Sequence, residues 1–97
     1  FSAQIDRISG SGVDDVYIWL KKNGVNVANT AGQITVSGGA TEAKTIQSWN
    51  YVVETTNSDY WELAWQSTDN NIYLNTFTPG GNIPNVPSTI LTVTQVR

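Results

Sequence analysis

The sequence predicts an all-β protein, an antiparallel sandwich or jelly roll, and three observations carry that expectation. Apolar residues recur with a period of two in short runs, the pattern of a strand with one buried face. Gly, Pro, Asn, Asp and Ser separate the runs, and no segment holds a convincing helical period. Charged residues make up only 13% of the 97, about half the usual share, while Thr, Asn, Ser and Gly, residues of strands and turns, supply most of the remaining polarity. Short strands, turns in place of helices and one apolar face per strand describe a sandwich or jelly roll, with a barrel as the nearest rival.

Residues 1–8 alternate Phe1 and Ala3 with Ser2, Gln4 and Asp6, strand-like from the first position. A Ser9-Gly10-Ser11-Gly12 loop follows. Residues 17–20 and 25–28 then form two apolar runs joined through Asn23-Gly24. Asn and Gly tolerate the positive φ angles of a type I′ turn, so this stretch reads as a β-hairpin. Ile34-Thr35-Val36 is a further strand, ended by the loop at 37–40.

Two longer strands are expected next. Residues 44–56 place Trp49, Tyr51, Val53 and Thr55 on one face, and residues 59–68 place Trp61, Leu63 and Trp65 on one face. The tight Asn57-Ser58 connection predicts that the two pair as neighbours in one sheet. Asp69-Asn70-Asn71 turns the chain into a strand at 72–77. A loop rich in Pro and Gly at 78–87 leads to a last strand at 88–96, and Pro84 and Pro87, which cannot donate ladder hydrogen bonds, make that loop a surface feature.

A chain of 97 residues is one domain with one core, burying roughly 60 to 68% of the surface its unfolded form exposes. Trp19, Trp49, Trp61 and Trp65 fall mostly on the faces assigned to that core, where each ring can bury on the order of 200 Å². Trp61 and Trp65 read as core because Leu63 shares their face. Trp19 and Tyr17 lie opposite Ile18 and Leu20, so this strand is apolar on both sides. In a small all-β domain the second cover is often another subunit. Tyr17 and Trp19, or Ile18 and Leu20, should then touch a partner, and so should Tyr60.

Composition also excludes. A net charge of −3 with five basic residues cannot neutralise a phosphate backbone, which argues against nucleic acid, and the Lys21-Lys22 pair reads as a solvated strand end. There is no Cys and no His, which removes disulfides, thiolate sites and the commonest general base and metal ligand. No apolar run approaches the ~18 residues of a membrane span, so membrane insertion is not expected. A first residue of Phe and the absence of Met suggest a piece of a larger polypeptide.

The carboxylates make a thin case for catalysis. Asp14 and Asp15 are adjacent and would face opposite ways on a strand, and Asp59 and Glu62 have ordinary turn and strand roles, so glycoside cleavage by paired carboxylates is not supported. Asp69-Asn70-Asn71 offers oxygen ligands of the kind Ca²⁺ takes, but not at the spacing of a dedicated loop, and the turn explains these residues. No enzyme, metal or cofactor is expected.

Four segments, FSAQIDRI, VYIWLKKNGVNV, NSDYWELAWQS and STILTVTQV, in that order, resemble the complement-q globular head and tumour-necrosis-factor-like jelly roll, especially its versions in bacteriophage tail and head fibre proteins. The match rests on the Phe-Ser-Ala-Gln opening strand, on Lys22-Asn23-Gly24, and on the Ser58-Asp59 turn feeding Trp61, Leu63 and Trp65. The resemblance implies a jelly-roll domain over residues 1–97 that lacks about three N-terminal strands of the family unit. It also implies a homotrimer around a threefold axis, for which Tyr17, Trp19, Tyr51 and Tyr60 are the interface candidates.

The function expected from this is non-enzymatic: an extracellular virion fibre domain, the tip of a phage tail fibre, that trimerises and binds the host cell surface. Its partners would be its own copies, other virion proteins and a host glycan or protein. A capsid decoration or head-fibre protein without receptor binding is one alternative, and a secreted carbohydrate-binding module is another. Binding residues are expected on loops framed by rigid strands: Asn70, Asn71, Asn82, Ile83 and Asn85, with 9–14 as a second patch.

Overall fold

The computed structural model describes residues 1–40 and 43–96. It is all-β, with eight strands in two antiparallel sheets and no helix among the described residues. The strands are β1 (Ser2–Arg7), β2 (Val13–Lys22), β3 (Val25–Asn26), β4 (Gly32–Ser37), β5 (Lys44–Ser48), β6 (Trp61–Ser67), β7 (Ile72–Leu74) and β8 (Thr89–Ile90).

Each sheet is built on one central strand. In the first, β1 has β5 along one edge and β7 and β8 in tandem along the other. In the second, β2 has β6 along one edge and β4 followed by β3 along the other. The hairpin is as its sequence predicts: Lys22 pairs with Val25, and Asn23 and Gly24 take φ of 52° and 82°, the two positive angles of a type I′ turn.

The two sheets face each other across an aliphatic core, the arrangement of a β-sandwich. Ile5 from β1 and Ile72 from β7 meet Val16 from β2 and Val36 from β4, with Ala43 beside them and Ile34 and Leu74 at the margin. Ala3, Ile18 and Leu20 are buried as well. Alternation on β2 assigns the inner face to Asp14, Val16, Ile18 and Leu20, and the outer face to Asp15, Tyr17, Trp19 and Lys21.

The aromatic core expected from the sequence is corrected. None of the four Trp is buried: Trp49 is 58% exposed and Trp65 40%, and Trp19 and Trp61 are half-buried. Trp61, Leu63 and Trp65 do lie on the inward side, opposite Lys22, Leu20 and Ile18. Their strand, however, pairs only with β2 and forms the margin of its sheet, so solvent reaches the rings from the open side.

The strands expected over 44–56 and 88–96 are corrected too: pairing of the first stops at Ser48 and pairing of the other at Ile90, while the strand expected over 59–68 is present as β6. Ser48 and Ile90 both lie opposite Ser2, and Trp49 still exchanges backbone hydrogen bonds with Phe1. Strands β5 and β6 are not neighbours, since one lies on β1 and the other on β2, and residues 49–60 cross between the sheets without strand pairing.

The molecule measures 44 × 34 × 17 Å with a radius of gyration of 15.3 Å, against about 12.5 Å for a compact chain of this length. Its accessible surface is 6,885 Å², where a compact monomer of this mass exposes about 5,500 Å². The sandwich is two sheets thick but broad and open at its margins.

Candidate functional site

At one end the two sheets are fastened by charge. Arg7, the last residue of β1, points inward and has a side chain with no exposure. Its Nη2 donates to Asp14 Oδ2 at 2.7 Å and its Nη1 to Asp69 Oδ2 at 2.6 Å. One guanidinium thus ties β1 to β2 and to the turn between β6 and β7. The Arg7 hydrogen bond holds the Asp14 carboxyl below its ordinary range, with a further bond from Thr68 Oγ1 acting in the same direction. The same pairing raises the guanidinium pKa.

This clip places the predicted loop residues. The other oxygen of Asp69, Oδ1, accepts from the Asn71 amide at 2.8 Å, which is the turn role expected for Asp69-Asn70-Asn71. Asn71 O accepts from the Ile8 amide, and its side-chain Nδ2 lies beside Gly10. The 9–14 patch and Asn70-Asn71 are therefore brought together at one end. Asn82, Ile83 and Asn85 are exposed on a separate loop, closed at its base by reciprocal backbone bonds between Phe77 and Val86. Asp14 and Asp15 do face opposite ways, Asp14 to Arg7 and Asp15 to the Thr35 hydroxyl at 2.9 Å.

A second anchor fixes the hairpin tip. Asn23 exchanges backbone and side-chain bonds with Tyr60 and donates its amide to Asp59 Oδ1. Asp59 Oδ2 accepts from the amide and hydroxyl of Thr56, and Lys22 Nζ approaches it to 3.4 Å. The Asn23 bond and the Thr56 bonds hold this carboxyl far below its ordinary range.

The four tyrosine and tryptophan candidates do not form one patch. Tyr60 is 55% exposed, with its hydroxyl over Gly24. Tyr51 stacks on Phe1 with centroids 6.1 Å apart and donates to Thr30 O at 2.7 Å, and its partial burial raises the phenol pKa. Tyr17 and Trp19 stand together on the outer face of β2.

Those two rings line a shallow, open groove. Gln66 enters from β6, directly opposite Tyr17 in the register, and Asn26 and Asn29 enter from the hairpin and the turn after it. Val27 and Ala31 complete the lining. The Trp19 indole donates to Asn26 Oδ1 at 2.7 Å, which fixes the ring. The turn is held from inside: Thr30 Oγ1 accepts from the Leu20 amide and donates to Val27 O.

No family model, curated protein or solved structure matches the chain. Among the described residues no group of three His, Cys, Asp or Glu side chains could hold a metal ion. The sequence reading found Tyr17 and Trp19 but missed the amides around them. Gln66 reaches the groove through a pairing register that local patterns do not encode. Asn29 did carry a signal, as an Asn in a turn, and it takes a φ of 62°.

Proposed function

We propose that this chain is a structural domain of a virion fibre that assembles as a homotrimer and contacts the host cell surface. The observation that carries the self-association is the exposed apolar chain of residues 50–55 and 92–96. Residues 50–55 hold the apolar run Tyr51-Val52-Val53 and residues 92–96 hold Val93 and Val96, and among the described residues the amides of both segments have no backbone partner. Val52 is 96% exposed and Val93 86%, values that leave whole side chains in water, whereas a strand in a second copy would supply both ladder bonds and apolar cover.

The fibre setting is supported by the resemblance of the FSAQ, KNG and Ser58-Asp59 segments to fibre versions of the complement-q and tumour-necrosis-factor-like jelly roll. The rigid sandwich with loops at its ends suits a surface that must touch a receptor while the strands hold the assembly.

Native mass spectrometry tests this reading. The expected mass is three times the 10.6 kDa of one chain. Replacing Val52 and Val93 together by Asp should give single chains with an unchanged far-ultraviolet circular dichroism spectrum. A wild-type chain that stays a folded monomer at high micromolar concentration contradicts the trimer, and a labelled trimer that adheres to no bacterial surface contradicts the attachment role.

A further inference from the structure

We infer that the groove on the outer face of β2 is a binding site for a neutral pyranose-containing glycan, a reading that deepens the surface-contact half of the proposed function. Its chemistry selects that ligand class. Tyr17 and Trp19 line it, and the negative quadrupole of an aromatic face attracts the partly positive C–H groups on the flat side of a sugar ring. Around them stand Asn26, Asn29 and Gln66, neutral groups that each offer both a donor and an acceptor, as a ring bearing several hydroxyls requires.

Three further observations separate this site from an ordinary solvated sheet face. The residues that line the groove carry no charge, which favours an uncharged ligand. The amides of Asn29 and Gln66 have no protein partner among the described residues, which leaves their hydrogen-bonding capacity available. The groove is also preorganised: the Asn26 bond fixes the Trp19 ring, and Thr30 fixes the turn that carries Asn29. Among the polar lining residues, a ligand then has only the Asn29 and Gln66 side chains to order on binding.

The experiment is saturation-transfer NMR on the wild-type chain with a panel of neutral oligosaccharides, namely lactose, N-acetyllactosamine, maltotriose and mannotriose, and with sialyllactose as an acidic control. Transfer is expected to the ring protons of at least one neutral sugar, together with a shift of the Trp19 indole N–H resonance. Trp19→Ala should abolish it. Gln66→Ala and Asn29→Gly, which leave the strand pairing and the positive φ undisturbed, should each weaken it roughly 5- to 10-fold, with the native mass unchanged in all three variants.

The inference is overturned if no neutral sugar shows transfer, if sialyllactose alone binds, or if Trp19→Ala binds as well as wild type. It is also overturned if Trp19→Ala changes the oligomeric mass, because the groove is then a subunit contact. A silent panel with an intact trimer refutes the glycan site alone, whereas a monomeric wild-type mass refutes the assembly reading.

Discussion

The two ends of β1 behave in opposite ways. At the Arg7 end the sheets close completely: an aliphatic cluster is sealed by a buried guanidinium with two carboxylates, and two loops are anchored to it. At the Ser2 end the ladders on both edges stop, and the chains that leave them run on with exposed valines. The difference teaches that alternation specifies which way side chains point but says nothing about whether a neighbouring strand exists. Stability within one chain belongs to the closed end, and in the proposed trimer the open end is where copies would meet.

The comparison breaks most sharply at Arg7. Arg7→Met removes the shared cation and leaves Asp14 and Asp69 facing each other beside the core, so a thermal melt should fall by about 10 °C or more. Next comes Ile5→Ala, a cavity at the centre of the cluster, expected to cost about 2–5 kcal/mol in urea unfolding. A loss below 1 kcal/mol would mean that the closed end is not the stable one.

Acid should act on the same anchors. Asp14 and Asp59 bind their protons more weakly in the fold than in the unfolded chain, so protonation favours unfolding. Their contribution is full above the unfolded carboxyl range near pH 3.9 and is lost as the pH falls below it. Stability measured from pH 7 to pH 2 should hold at the top of this range and drop at the bottom, and the drop should shrink in Asp59→Asn. Gly24→Ala is smaller: its φ of 82° is left-handed, and the added methyl would sit 3.3 Å from the Tyr60 hydroxyl. It should cost about 1–2 kcal/mol. Smallest of all, Val52→Ala should change the stability of the single chain by less than ~0.5 kcal/mol.

What the sequence makes legible follows the same division. The Asn23-Gly24 hairpin, the Asp69 turn and the opposed directions of Asp14 and Asp15 are local, set by turn chemistry and by the two-residue period. The clip is not local: Arg7 and Asp69 are 62 residues apart, and no pattern in either segment announces the other. The length of the strands starting at Lys44 and Thr89 was also illegible, because the alternation of Trp49, Tyr51 and Val53 and the strand-forming Thr and Val of residues 92–96 read the same whether or not a partner strand meets them. Trp61 and Trp65 misled for a related reason, since the inward side of a marginal strand has the same pattern as the inward side of a central one. In the candidate groove the aromatic pair was visible on one strand, and the amides that give it chemistry arrive through register.

Hydrogen exchange followed by NMR at low and high protein concentration reads the central claim directly, amide by amide. Residues 50–55 and 92–96 should exchange almost as fast as an unstructured peptide in the dilute chain and become protected as the trimer forms, while Ile5 and Val16 stay protected throughout. If these segments exchange freely in a chain whose mass is that of the trimer, assembly does not use the open end of β1, and the account is wrong.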